Sequence, residues 1–74
     1  MTRLPTVLPK DVLAALQRAG FVEDHQTGSH IVLRHPLTKH RTVVAIHSRD
    51  LPRPTLKKIL KQARLSEDEF RDLL

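Results

Sequence analysis

Cysteine is absent from the 74 residues, so no disulfide, zinc-thiolate site or thiol nucleophile can be built from them. Tryptophan and tyrosine are absent too, and Phe21 and Phe70 are the only aromatics. That argues against modules that stack unpaired bases on an aromatic platform. The only two glycines, Gly20 and Gly28, are too few for a glycine-rich nucleotide loop. No apolar run approaches the roughly 18 residues of a membrane span, and Pro5 and Pro9 interrupt the Leu4-to-Leu8 stretch where a signal-peptide core would lie. The expectation is a soluble, cytoplasmic chain with no membrane contact. Residues 1–74 are expected to form one domain, large enough for two helices on a sheet but not for a deep enclosed pocket.

Acidic residues are scarce over most of the chain. Residues 1–65 hold twelve Lys and Arg against four Asp and Glu, whereas residues 66–74 hold one against four. The basic body is therefore the candidate surface for a polyanion, and the acidic tail is not.

Hydropathy period gives the elements. Pro9 suits a first helical turn, Val12, Leu13, Leu16 and Ala19 form one apolar stripe, and Gly20 fits a left-handed C-terminal cap, which predicts a helix over 9–19. Phe21-Val22-Glu23 reads as a short strand ended by the polar run 24–28. From Ser29 to Pro36 the period becomes two, with Ile31 and Leu33 on one side and His30, Val32 and Arg34 on the other. A second alternating run covers Arg41 to His47. With Leu37-Thr38-Lys39-His40 as the turn, the expected register sets Leu33 opposite Val44, Ile31 opposite Ile46 and His30 opposite His47. After a proline-rich connection, Leu56, Ile59, Leu60 and Ala63 mark a second helix opened by Pro54, with Lys57, Lys58, Lys61 and Arg64 off the apolar stripe. Ser66 and Glu69 form the capping-box pattern of a short final helix containing Phe70. The fold class is α+β in the order α-β-β-β-α plus a short C-terminal helix. It should form a three-stranded antiparallel sheet with both main helices on one face and His30 on the open one.

Metal-free RNA cleavage needs a group that removes the 2′-hydroxyl proton, a group that protonates the leaving 5′-oxygen, and positive charge on the phosphate. Histidine can perform either transfer near neutrality. Gly28 and Ser29 would shape the loop ahead of His30, and Arg34, Lys57, Lys58 and Lys61 are candidate phosphate contacts. His47 is a candidate second proton-transfer group through its expected pairing with His30. Each also has a bland reading: a strand-end histidine, or the solvated outer face of a helix. His25, His30, His35 and His40 recur every five residues, but successive members alternate faces in a strand. No metal or cofactor is expected. His35 and His40 are assigned to solvent near the hairpin turn, and His25 to the loop before the strand.

Gly28-Ser29-His30, Arg34-His35-Pro36, Thr42 to His47, Thr55 to Ala63 and Leu65 to Phe70 resemble, in the same order, the motifs of the HicA family of small bacterial toxins. The resemblance implies a fold like that of double-stranded-RNA-binding domains, endoribonuclease activity on messenger RNA, and a HicB-type antitoxin as partner in a type II toxin–antitoxin pair. The catalytic histidine it implies maps onto His30. Pro54 and Arg64 stand where that family usually has glycine. Two other readings are a double-stranded-RNA-binding module that does not cut, and a protein-interaction domain whose basic face meets an acidic partner.

Overall fold

The computed structural model describes residues 7–46 and 50–74, and the elements run α1 (Pro9–Arg18), β1 (Val22–Thr27), β2 (His30–Arg34), β3 (Arg41–Ala45), α2 (Arg53–Ala63) and α3 (Glu67–Leu73). The strands form one antiparallel sheet in the order β1-β2-β3. Ile31, Leu33, Thr42 and Val44 are its buried face and meet Val12, Leu16, Leu56, Ile59 and Leu60 from the two main helices. The expected α+β class, element order and helix-covered sheet are what forms.

Both main helices end in the same device. At α1, Phe21 N–H donates to the Leu16 carbonyl and Gly20 N–H to that of Gln17; at α2, Leu65 N–H donates to Leu60 and Arg64 N–H to Lys61. These are Schellman motifs, which require a left-handed residue. Gly20 supplies φ of +103° at the first and Arg64 adopts φ of +60° at the second. A Cβ on Gly20 would also lie 2.7 Å from Nε2 of His35, whose ring packs edge-on to Phe21. His35 is thus half-buried and structural rather than in solvent: its Nδ1 accepts from the N–H groups of Leu37 and Thr38, closing the β2–β3 turn. Ser66 and Glu69 form the expected capping box, and α3 seats the fully buried Phe70.

The sheet departs from expectation in two ways. The β2–β3 register is two residues away from that predicted: Leu33 faces Thr42, Ile31 faces Val44, and His30 faces Ala45. Alternation fixes which side chains share a face, and a two-residue slip preserves every face, so hydropathy could not separate the two registers. The turn sits one residue earlier in the chain: His35 N–H donates to the His40 carbonyl and Lys39 N–H to the His35 carbonyl, so the hairpin closes around residues 36–39 rather than 37–40. His47 lies outside the described residues, and its expected pairing with His30 is replaced by that of Ala45.

Secondly, β1 is six residues long, not three, and His25 lies within it rather than in a loop. All six are exposed, because β1 is an edge strand outside the helix layer and is held by backbone pairing to β2. The polar composition of 24–27 resembles a turn for that reason.

Candidate functional site

Gly28 and Ser29 form a two-residue turn between Thr27 and His30. Gly28 has φ of +58° and Ser29 does not have positive φ, the arrangement of a type II′ hairpin. A Cβ on Gly28 would meet no atom within 4 Å, so glycine is required here by backbone conformation, and the space above it is open. The turn is held at both carbonyls: Gln26 Nε2 donates to Gly28, and Ile46 N–H donates to Ser29. His30 therefore leaves a fixed corner, exposed on the face opposite the helices.

Paired residues in an antiparallel sheet share a face, so the register defines rows across this open side. Thr27, His30 and Ala45 form one; His25, Val32 and Val43 the next; Val22, Arg34 and Arg41 the third. His25 occupies its row only because of an irregularity between Glu23 and His25. Glu23 pairs with Leu33, on the helix side, while His25 pairs with Val32, on the open side, and Asp24 is the extra residue between them. Such a bulge turns the following side chain to the other face.

Asp24 accepts from Arg41 Nη2 at 2.9 Å and lies 3.1 Å from Nδ1 of His25. The His25 hydrogen bond, followed by that from Arg41, holds the Asp24 carboxyl below its ordinary value. The same carboxylate offsets the repulsion between Arg34 and Arg41, which stand directly opposite each other.

An open groove of about 850 Å³ runs from His25 across Val32 and Val43 to Lys58, Lys61 and Arg64 on the α2 side, with His40 and Arg41 also on its walls and no Asp or Glu in its lining. Its inner edge is set by Thr42, whose hydroxyl donates to Gln62 Oε1 at 3.0 Å and joins β3 to α2. The left-handed backbone at Arg64 is part of the same wall.

Of the residues singled out in the sequence, Lys58 and Lys61 line this groove. Lys57 is exposed on α2 outside it, Arg34 lies in the third row, and His30 stands one row beyond Val32. The sequence reading missed His25, His40 and Arg41. The bulge hides His25 from any period-two pattern, and Arg41 joins the wall only through strand pairing. The sequence sets Arg64 with the α2 lysines off the apolar stripe, and it too lines the groove.

Among the described residues no cluster of His, Asp and Glu could hold a metal ion, and no helix is long and apolar enough to cross a membrane. A comparison with curated proteins returns no match. The family model for the HicA toxin of bacterial toxin–antitoxin systems matches residues 9–65, which span α1, the whole sheet, α2 and its cap. The chain therefore belongs to the HicA toxin family, the toxin side of bacterial toxin–antitoxin pairs.

Proposed function

We propose that the chain is a metal-independent endoribonuclease of messenger RNA, with His30 as a proton-transfer residue of the cleavage step. The observation that carries this reading is the continuous open face on which exposed His30 stands one row from a groove walled by Arg41, Lys58, Lys61 and Arg64. A groove this open accepts a polymer rather than enclosing a small molecule, and its cations suit a phosphate backbone. With so few aromatics, recognition rests on phosphates and hydroxyls.

In this reading Gly28 and Ser29 hold the corner that presents His30. Lys58 and Lys61 contact the RNA backbone within the groove, while Arg34 and Lys57 lie outside its lining and are not among the contacts. RNA binds along the open face, transesterification yields a 2′,3′-cyclic phosphate and a 5′-hydroxyl, and the activity is exerted in the cytoplasm. The antitoxin is of the HicB type and silences the toxin by covering this face, with acidic groups opposite the basic wall.

The test is incubation of purified protein with a long RNA in excess EDTA, beside His30→Ala, with the fragment ends mapped. Cleavage by the unaltered chain alone, leaving cyclic phosphate or 3′-phosphate and 5′-hydroxyl ends, is expected. The breadth of the groove also suits a second reading, a double-stranded-RNA-binding module without chemistry. Equal RNA binding by both proteins with cutting by neither would establish that reading instead.

A further inference from the structure

We infer that His25 is the second proton-transfer residue, acting with His30 across one RNA phosphate; this rests on the endoribonuclease reading above. Three independent features of the fold lead to it. The first is the bulge at Asp24. In an unbroken alternation through Asp24, His25 would share the face of Glu23, toward the helices; with Asp24 bulged out of the pairing, His25 stands on the open face beside Val32.

The second is separation. His30 pairs with Thr27, and His25 lies two residues along the same strand, so the two are diagonal cross-strand neighbours. Diagonal positions are about 7–8 Å apart at the backbone, within reach of two imidazoles converging from either side on one phosphodiester. The third is orientation. An ionised carboxylate only accepts, so Asp24 at 3.1 Å from Nδ1 selects the tautomer with the proton on Nδ1 and leaves Nε2 for proton exchange. Arg41 fixes that carboxylate from β3 at 2.9 Å, making Asp24 a positioning residue.

The step balances without any co-reactant. One imidazole, neutral, takes the 2′-hydroxyl proton as O2′ bonds to phosphorus. The other, as imidazolium, gives its proton to O5′ as the P–O5′ bond breaks. The products are the cyclic phosphate and a 5′-hydroxyl, and the two rings have exchanged protonation states. Lys58 and Lys61 face the same space and can neutralise the non-bridging oxygens.

The experiment compares the unaltered chain, His25→Ala, His30→Ala and His47→Ala on a long RNA and on a uridine 3′-(p-nitrophenyl phosphate), whose leaving group departs without a proton. His25→Ala is expected to lose about 10²-fold or more on RNA, the scale of one general acid or base. On the activated ester, one of the variants at 25 and 30 is expected to recover near-normal turnover, the one lacking the acid, while the other remains impaired. Neither a folding defect nor a purely structural role produces that split. Full RNA cleavage by His25→Ala overturns the inference, and loss in His47→Ala alone moves the role there. Equal loss by the variants at 25 and 30 on both substrates also overturns it. If the unaltered chain cuts no RNA, the endoribonuclease reading falls first and this inference with it; if only His30→Ala is inactive, the inference alone falls.

Discussion

Replacing both Lys58 and Lys61 by alanine is expected to flatten the salt dependence of RNA binding. The groove wall carries four basic side chains, Arg41, Lys58, Lys61 and Arg64. Arg41 is already paired with Asp24, which leaves three cations to displace counterions from RNA. At about 0.7 per neutralised phosphate on a single strand, the slope of log K against log salt is about −2.1, and it falls to about −0.7 in the double variant. Raising monovalent salt fourfold should then weaken the parent about 18-fold and the double variant about 2.6-fold. Fluorescence anisotropy with a labelled single-stranded RNA measures this, in a His30→Ala background so that the probe survives. Lys57→Ala is the control, since Lys57 is exposed on the same helix outside the groove and its removal should leave the slope near the parent value. Identical slopes for all three proteins would refute the groove as the RNA path. A flattened slope for Lys57→Ala alone would move that path to the outer face of α2.

Arg64→Gly relieves a left-handed residue in a Schellman motif and is expected to stabilise the fold by about 0.5–1 kcal/mol, read as a higher urea midpoint, while weakening RNA binding. Thr42 is 1% exposed, and Thr42→Val, which removes its hydroxyl bonded to Gln62, should cost about 1 kcal/mol by the same assay. Asp24 and Glu69 both titrate below their ordinary values, Asp24 through His25 and Arg41, Glu69 through the Ser66 backbone and hydroxyl. Depressed carboxylates stabilise the fold above their unfolded values of 3.8 and 4.5, and the effect is lost as pH falls through the lower folded values. Carboxyl NMR titration should show both midpoints depressed, and Asp24→Asn together with Glu69→Gln should reduce the acid-side loss of stability.

Side-chain period carried much of the fold into view. Ile31 and Leu33 against His30, Val32 and Arg34 identify the buried and open faces of β2 directly, and the α2 stripe separates Leu56, Ile59 and Leu60 from the lysines. Period says nothing about slips of two, so it does not separate a register with His30 opposite His47 from the one with His30 opposite Ala45. It also fails wherever backbone pairing rather than burial holds a strand. β1 buries none of its side chains, so its polar residues carry no strand signature, and the bulge at Asp24 breaks the alternation that would have located His25. The sequence therefore makes His30, Lys58, Lys61 and Arg64 legible. The rest, His25 and Arg41, depends on which strand lies beside which.

The exposed edge strand also separates what the chain inherits for folding from what it inherits for chemistry. Leu16, Leu33, Val44, Leu56 and Phe70 hold the molecule together, and none of them lies on β1. Exposed positions away from caps and buried networks generally tolerate replacement within about half a kcal/mol. Gln26 and Thr27, and to a lesser degree the Asp24–His25 pair, can consequently vary with little effect on the folded population. Any chemistry carried on such a strand can be weakened or silenced by single substitutions while the folded scaffold stays intact.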